Sequence, residues 1–541
     1  MKKKLLKSAL ALTIAFVSAT VLAIPCFALP YNTEITSNYN YDYWKYAVEA
    51  PVAYTTEKVY SMEDLGLSGL FQPVDLFSRN GKLYVVDQAG NRVLVYDEKV
   101  QLISSIKTLR DTDDYSIPAL NMSYTNDKGE IIYDTEMTSA DKYSLNAPEG
   151  IYVTDEDVLY IADTENRRVV VCDMYGNVSN IYQHLKVSFI SNFVFKPQKI
   201  TVDGLGAMQV IAKNVNRGML EIDSDGVFQT FIGTPKVTVS ASDWFWRSIA
   251  SEEQKKNFVK YVPTQYSNIT TDKRGFIYST ISTIDYSQLK TAAGGGSVSG
   301  STAPVAKLTP DGSDIMRRLG EFPPMGDVIF TESGSPKIVD CAVDNESGLY
   351  TILDQASGRF FTYDQDGRLF FIGGGSSNGQ YGRFRTPTSI VCDGDYIYVS
   401  DSGNKTITSF CMTDYAKLVR SALAADSIGE FESASKLWTE VAAYNSNLYV
   451  AYIGIGKAEM RYAAKQTDKE TMLGHYEKAM YYFSLANEKT NYSKAFTALR
   501  TEKLTQYFTL IVIVVLVIIA GIIVLSVINK RKSKKKGAGA E

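Results

Sequence analysis

The chain has 541 residues, a formal net charge of −4 at pH 7 and a hydrophobic share of 45%. This length is enough for two or more domains, and the hydrophobic share is that of an ordinary folded protein. Nucleic-acid binding requires clustered positive charge against the phosphate backbone, so the small negative charge predicts no nucleic-acid partner.

The first 28 residues have the features of a secretion signal. Lysines at positions 2–4 and 7 form a basic start, and a largely apolar stretch covers residues 9–24. A small-x-small sequence then ends at Ala28. We predict a signal peptide at residues 1–28, cleaved after Ala28, and an N-terminal segment at 29–50. An uncleaved anchor is the alternative, although the apolar run is short for one.

A segment of about fifteen residues recurs along the chain, as expected of a repeat protein. LYVVDQAGNRVLVYD at residues 83–97 returns at 159–173 and 397–410, with looser copies at 209–223 and 349–364 and a degenerate copy at 275–281 with 305–312. In each copy, short alternating strands are separated by turns containing Gly, Asn or Asp, which indicates an antiparallel all-β fold. Six units of four strands predict a mainly β protein with a six-bladed β-propeller at 51–412.

These units resemble NHL repeats, and the region from about 50 to 412 resembles an NHL-type six-bladed propeller. The resemblance is carried by Asp87-x-x-x-Asn91-Arg92, Asp163-x-x-Asn166-Arg167 and Asp401-x-x-Asn404-Lys405. It departs from the pattern at Lys213, throughout the fourth blade and at Gly358-Arg359, so six identical sites are not expected. Strand-end Asp side chains commonly bond loop N–H groups and brace neighbouring blades. We therefore predict structural repeat positions at Asp87, Asn91, Asp163, Asn166, Asp354, Asp401 and Asn404.

The sixth copy supplies only three strands before a helical pattern begins. Residues 52–60, ahead of the first copy, are strand-like and otherwise unused. We predict that they close the ring as the outer strand of the sixth blade, because an open sheet edge promotes aggregation.

The longest connections lie at 108–145, 235–264, 283–303 and 373–385, and strand counting places all of them on one face of the disc. Elaborated loops on one face of a rigid scaffold usually mark the working surface. We predict that this loop-rich face binds an envelope protein or a glycan through Trp244, Phe245, Trp246, Arg92 and Arg167. The three aromatic residues open a predicted helix at 242–261, and packing on the propeller is the alternative role for them.

Residues that could carry catalysis are sparse. His184 and His475 are the only histidines and fall in different regions, which excludes a multi-His metal site. The sequence contains no C-x-x-C pair, nucleophile elbow or phosphate loop. Cys341 and Cys392 occupy matching points of neighbouring repeats, as a disulfide or as free thiols.

We accordingly predict no catalytic residue, no metal ligand and no cofactor, and a binding protein rather than an enzyme. Propeller lactonases resemble this architecture and use carboxylate and amide ligands around the central channel. A divalent-metal-dependent hydrolase of the propeller lactonase kind is therefore the alternative function.

From residue 413 to 505 the apolar period changes to about 3.6, which indicates helices. The segment at 429–458 is similar to tetratricopeptide (TPR) repeats, with Phe431, Ala434 and Trp438 on one packing face. Residues 474–489 repeat its first half. We predict a TPR-like helical segment, and a generic helical hairpin is the alternative.

The stretch FTLIVIVVLVIIAGIIVLSVI at residues 508–528 carries no charge. At about 1.5 Å per residue it can cross a hydrocarbon core of roughly 30 Å, which predicts a transmembrane helix at 507–529. Basic residues follow in the tail at 530–541 and favour its cytoplasmic location. With a cleaved signal, these features predict a single-pass plasma-membrane protein, bacterial, with its N-terminal domain outside.

Overall fold

The computed structural model describes residues 38–120, 123–125, 131–133, 141–183, 185, 193–233, 265–284, 286–294, 303–327, 335–377 and 380–537. The chain divides into two compact units, Met1–Arg420 and Ser421–Glu541, which are considered separately. The predicted signal peptide and the aromatic residues Trp244, Phe245 and Trp246 lie outside the described residues.

The first unit consists mainly of short antiparallel strands. Three strands precede the first blade: β1 (Asn38–Tyr41), β2 (Ala47–Ala50) and β3 (Tyr54–Tyr60). Blade one contains β4 (Pro73–Arg79), β5 (Lys82–Asp87), β6 (Arg92–Tyr96) and β7 (Leu102–Ile106). The connection to blade two carries β8 (Ser123–Thr125) and β9 (Ile131–Tyr133).

Blade two contains β10 (Gly150–Val153), β11 (Leu159–Asp163), β12 (Arg168–Cys172) and β13 (Val178–Gln183). Blade three contains β14 (Pro197–Val202), β15 (Met208–Ala212), β16 (Met219–Ile222) and β17 (Phe228–Ile232). The described part of blade four contains β18 (Asn268–Thr271), β19 (Ile277–Thr280), helix α1 (Tyr286–Ala293) and β20 (Val305–Leu308).

Blade five contains β21 (Ile338–Val343), β22 (Tyr350–Asp354), β23 (Arg359–Tyr363) and β24 (Leu369–Gly374), and blade six contains β25 (Pro387–Asp393), β26 (Tyr396–Asp401) and β27 (Thr406–Met412). The first strands of successive blades contact one another in a closed circle, β4–β10–β14–β18–β21–β25 and back to β4. The predicted six-bladed propeller is thereby confirmed.

Burial along each blade follows from the stacking of blades. The middle strands are nearly continuous in Val, Ile, Leu and Tyr, and β12 (RVVVC) is buried at every position. Such runs are expected where both faces of a strand are covered, here by the neighbouring blades. The outer strands β7 and β17 are largely exposed and correspondingly more polar.

The ring closes as predicted from the sequence. Strand β3 pairs antiparallel with β27, with Tyr60 opposite Ile407 and Tyr54 opposite Met412. The Tyr54 ring is buried, and its centroid lies 5.4 Å from that of Phe360 and 5.9 Å from that of Phe371, both in blade five. Strand β3, which precedes blade one in sequence, therefore completes blade six and packs against blade five.

A hairpin of β1 and β2 covers the outer edge of blade five. Asn40 is 1% exposed, and its side-chain amide donates to the carbonyl oxygens of Leu369 at 3.3 Å and Phe370 at 2.8 Å. The hairpin thus occupies an edge that would otherwise present unpaired backbone groups.

Helices follow the last strand. They are α2 (Asp414–Ile428), which crosses the boundary between the units, α3 (Phe431–Tyr444), α4 (Tyr449–Ala463), α5 (Lys469–Leu485) and α6 (Lys489–Gly537). From α3 onward, consecutive helices pack on one another. Gly454 and Gly456 allow this, because a Cβ atom would meet the Trp438 ring at Gly454 and the Phe483 ring at Gly456.

A buried carboxylate joins three of these helices. Glu459 on α4 is 2% exposed, accepts hydrogen bonds from Ser435 on α3 and from Lys478 on α5 at 2.6 Å, and contacts His475 Nδ1 at 2.5 Å. Although burial opposes it, these hydrogen bonds hold the pKa of Glu459 below its ordinary value. His475 therefore lies in a helix-packing cluster.

Helix α6 contains the apolar stretch seen in the sequence. Within Lys489–Lys532 its most apolar window has a mean hydropathy of 3.6 and no buried residue. Over the described ranges, this one helix is long and apolar enough to cross a membrane.

Replacing the closing tyrosine tests the closure directly. Tyr54→Ala should lower the free energy of unfolding of the propeller by about 3 kcal/mol, because it leaves a cavity against Phe360 and Phe371. Thr55→Ala, an exposed position on the same strand, is the matched control. The measurement is thermal unfolding of the full-length protein, and equal melting temperatures for the two variants would contradict the anchoring role of Tyr54.

Candidate functional site

Six residues at one register, one from each first strand, meet at the centre of the propeller. Five of them lie opposite the residue just before the end of the second strand, for instance Asp75 opposite Val86 and Asp340 opposite Leu353. The sixth, Asn268, lies opposite Thr280 at the end of its second strand. In blades one, three, five and six the pairing shifts immediately before this position, as in a β-bulge, which re-aims a side chain. The channel ring comprises Asp75, Gly150, Lys199, Asn268, Asp340 and Ser389.

An ion pair crosses the channel from blade three to blade one. Lys199 Nζ lies 2.6 Å from Asp75 Oδ1 and also donates to the carbonyl oxygen of Val74 at 3.1 Å. The other oxygen of Asp75 accepts from the backbone N–H of Ile151 in blade two at 3.0 Å. Asp75 is 6% exposed, so this pair joins three blades in a poorly hydrated environment.

Asp340 joins the remaining blades. Its Oδ1 accepts from Asn268 Nδ2 in blade four at 2.5 Å and from the backbone N–H of Cys341 at 2.7 Å. Its Oδ2 accepts from Ser389 Oγ in blade six at 2.6 Å and from the backbone N–H of Ile390 at 2.8 Å. Ser389 Oγ in turn accepts from the backbone N–H of Leu76 in blade one at 3.0 Å, so the network returns to the blade where it began.

The remaining position of the ring, in blade two, is occupied by Gly150 for a steric reason. A Cβ atom at this residue would lie 2.3 Å from the carbonyl oxygen of Gln198, a backbone atom of the neighbouring blade. The close approach of these two first strands therefore requires glycine.

Burial dominates the acid–base properties of the ring. Burial and the nearby Asp75 carboxylate raise the pKa of Asp340 to about 7, against the opposing effects of Lys199 and the hydrogen bonds that Asp340 accepts. Burial also raises the pKa of Asp75, and Lys199 opposes this shift. The Lys199 ammonium thus stabilises the charged forms of two buried carboxylates, Asp75 and Asp340. Such contacts hold the blades together and form the base of a cavity.

Above the ring, the channel widens into a cavity of about 580 Å³. This volume is in the range of small-molecule sites. Residues from the first-to-second strand turns of all six blades line it, among them Asn80, Asp155, Gly204, Gly275, Glu346 and Gly394. The cavity therefore opens on the face with the short turns, opposite the loop-rich face that the sequence analysis favoured for binding.

The predicted binding residue Arg92 forms an ion pair outside this cavity. Its Nε lies 2.8 Å from Asp87 Oδ2. In blade two the equivalent ion pair is made by Arg168, whose Nε lies 2.8 Å from Asp163 Oδ2. Arg167 occupies the preceding turn position with φ of 58°, matching Asn91 with φ of 53°. The structural counterpart of Arg92 is therefore Arg168, one residue later than the motif alignment implied.

The strand-end aspartates bond the loops of their blades. Asp87 Oδ1 accepts from the backbone N–H groups of Gln72 and Gly90, and Asp163 Oδ1 accepts from that of Asn146. Asp354 and Asp401 accept in the same way from the backbone N–H groups of the residues just before the first strands of their own blades. Contacts within the Asp-x-x-Asn motif recur, since Asn166 and Asn404 donate to Asp163 and Asp401.

Asn91 makes a contact of a different kind. Its Oδ1 accepts from the backbone N–H of Ala147 in the connection to blade two, at 2.8 Å. None of the seven predicted repeat positions lines the cavity.

All four cysteines in the described ranges are free thiols. Cys341 and Cys392 both line the channel cavity, and Cys172 is buried in β12. Burial raises the pKa of Cys392 to about 12, so its thiol is protonated at neutral pH.

The channel ring was not predicted from the sequence, although the sequence contains a signal for it. Pro73-Val-Asp75, Pro197-Gln-Lys199 and Pro387-Thr-Ser389 each place a polar residue two positions after the proline that opens a strand. An alignment of the copies on that proline places these polar residues at one shared position. The residue type at this position differs from blade to blade, so it does not form a repeated motif.

No family model matches the chain, and no curated protein matches it. Solved structures do match. One is a protein of unknown function from Bacteroides thetaiotaomicron, 12% identical, with a TM-score of 0.38, covering 68% of this chain and 80% of that chain. Another is an auxiliary nutrient binding protein from the same organism, 13% identical, with a TM-score of 0.35, covering 64% and 70%.

A third is the extracellular domain of a hybrid two-component system from B. thetaiotaomicron, 12% identical, with a TM-score of 0.33, covering 68% of this chain and 44% of that chain. At these identities and TM-scores the matches carry no argument about function. The fold rests on the strand pairing described above.

The raised pKa of Asp340 makes a prediction about stability. The folded state holds a proton on this group that the unfolded state releases near pH 4, so the contribution of Asp340 should fall as pH rises from about 4 to about 7. The stability advantage of the wild type over Asp340→Asn should therefore shrink by roughly 2 kcal/mol between pH 5 and pH 8. Chemical unfolding of both proteins at the two pH values measures it, and parallel pH profiles would contradict it.

Proposed function

We propose that the protein is a membrane-anchored binding or scaffolding protein whose propeller lies outside the cytoplasm and engages a protein or glycan. The observation that carries this proposal is that the polar side chains of the channel ring already bond one another. The oxygen atoms of Asp75 and Asp340 are already engaged by Lys199, Asn268, Ser389 and backbone N–H groups. Polar groups that satisfy one another build a rigid scaffold, whereas catalysis requires groups left poised toward a substrate.

The loop-rich face remains the proposed surface for the macromolecular partner. Helix α1 interrupts the second-to-third strand connection of blade four, and β8 and β9 lie in the long connection between blades one and two, so both insertions carry structure of their own. Trp244, Phe245 and Trp246 belong to another of these connections, and aromatic rings of this kind stack on sugars or anchor protein partners. Arg92, the first residue of β6, and Arg167, in the turn before β12, lie at second-to-third strand connections on the same face.

The finer assignments follow from the sequence patterns. We propose that the blades are NHL-type repeats and that helices α3 to α5 are TPR-type helices. We also propose that α6 crosses the plasma membrane of a bacterium, with the basic residues at its C-terminal end in the cytoplasm.

Selective labelling tests the anchored, outside orientation. Leu205→Cys introduces a thiol at a position that is 89% exposed, in the turn between β14 and β15, and Gly537→Cys introduces one at the end of α6. A membrane-impermeant maleimide should label Leu205→Cys on intact cells, and should label Gly537→Cys only after permeabilisation. The unsubstituted chain is the control for the native thiols.

Labelling of Gly537→Cys but not Leu205→Cys on intact cells would reverse the orientation. Release of the unlabelled chain from membranes by salt or alkali alone would contradict anchoring by α6. Elemental analysis of the purified protein separates binding from the hydrolase alternative, since stoichiometric calcium or zinc that survives dialysis would favour the lactonase kind.

A further inference from the structure

We propose that the channel cavity is a binding site for a small organic polycation, a polyamine or a similar ligand with several N–H donors. This site is separate from the partner surface proposed above, since it opens on the face with the short turns. The proposal depends on three features: the charge of the lining, a buried amide oxygen without a donor, and the size of the cavity.

The lining carries an excess of negative charge. Eight carboxylate residues and three basic residues contribute to it. From outside the lining, Lys199 pairs with Asp75, and Arg274 and Lys307 pair with Asp272, so the excess comes from the other acids. Two of the basic residues are already used by acids: Arg79 pairs with Asp155, and Arg420 spans Asp344 at 2.8 Å and Glu346 at 2.7 Å. When negative charges line a concave site with protein walls, the negative potential inside the site is strengthened and attracts cations.

Blade three contributes one carboxylate to the wall, and no basic side chain of the described residues forms an ion pair with it. Asp203, in the turn after β14, lines the cavity, and Glu221 on β16 lies close enough to interact with it. Burial and the nearby Asp203 carboxylate raise the pKa of Glu221. Because a neighbouring carboxylate opposes the ionisation of Glu221, a cation that enters here is favoured.

Gln209 is the observation that points to a ligand rather than to a charged surface alone. It lies on β15 between Thr201 and Glu221, lines the cavity, and is 3% exposed. Its side-chain Oε1 has no hydrogen-bond partner among the described residues. A buried carbonyl oxygen without a donor is costly and uncommon in folded proteins. A ligand N–H group would satisfy it.

The chemistry of the lining distinguishes an organic cation from a metal ion. Among the described residues, no three or more His, Cys, Asp or Glu side chains are grouped to hold a metal. The cavity, at about 580 Å³, far exceeds the space of a single ion. An elongated polycation presents separated ammonium groups, so it can reach the Gln209 oxygen and the dispersed carboxylates at once.

Titration calorimetry with spermidine tests the proposal on the full-length protein in detergent micelles. Asp203→Asn removes a charge but keeps the Oδ1 atom that accepts from the N–H groups of Leu205 and Ala207. Asp223→Asn is its matched control, because Asp223 is half-buried in the same kind of turn in the same blade but does not line the cavity. Gln209→Leu removes the amide oxygen, and Gln229→Leu, at an exposed position of blade three, is its control.

The expected result is saturable binding of one spermidine per chain. Asp203→Asn and Gln209→Leu should each weaken it about tenfold or more, while Asp223→Asn and Gln229→Leu leave it unchanged. Since Gln209→Leu can disturb folding, Asp203→Asn decides the question if the melting temperature of the glutamine variant falls.

Three outcomes would overturn the proposal. Absence of saturable spermidine binding would do so, and so would equal weakening by Asp203→Asn and Asp223→Asn, which would indicate nonspecific attraction to surface charge. Calcium that binds more tightly than spermidine and displaces it would replace the proposal with a metal site. The labelling experiment on anchoring and orientation is independent of all these outcomes.

Discussion

The buried ion pair between Lys199 and Asp75, together with the hydrogen bonds of Asp340, is the constraint on which the propeller depends. A carboxylate at the centre of six packed blades is stable only if each of its oxygen atoms is engaged, because water is largely excluded there. The donors come from residues far apart in sequence, and Ser389 in blade six bonds the backbone of Leu76 in blade one. The network therefore specifies which strands meet and in which register.

This constraint explains why the six copies differ at the channel although they share a fold. Six identical carboxylates, or six lysines, would repel one another at close range and could not be satisfied. Two acids, one lysine, one amide, one hydroxyl and one glycine can be satisfied, and glycine lies where the backbone of the next blade approaches too closely for a Cβ atom. The same mixture leaves the cavity above the ring with an uneven wall, to which blade five contributes three carboxylates and blade three contributes one, Asp203.

Much of the fold was predictable because it follows from local patterns. Alternation, turn residues and the recurring Asp-x-x-Asn loops indicated six blades, and the unused strand-like segment before the first copy indicated β3 as the closing strand. The apolar stretch in α6 and the helical period before it were equally local signals. The β1–β2 hairpin gave no repeat signal, and its region was predicted only as an N-terminal segment.

The candidate site was less predictable because it is built from long-range contacts. Arg167 was predicted instead of Arg168 because the two copies were aligned on their Asn-Arg sequence. In the structure, Arg167 corresponds to Asn91, since both have a positive φ, and Arg168 therefore corresponds to Arg92. The channel ring depends on which side chains face one another across the axis, and no single copy contains that information. That the buried Gln209 Oε1 lacks a hydrogen-bond donor among the described residues can be recognised only when its neighbours in space are known.

A double-mutant cycle on Asp75 and Lys199 tests the central claim most directly. Lys199→Met alone leaves two buried carboxylates without their ammonium, and Asp75→Asn alone leaves a buried ammonium with a weaker partner, so each should be strongly destabilising. In the double variant neither charge remains, and it should be more stable than the sum of the single changes predicts, by about 2 kcal/mol. Urea unfolding of the four full-length proteins gives the coupling energy. Additive effects would contradict the claim that this ion pair holds the propeller together.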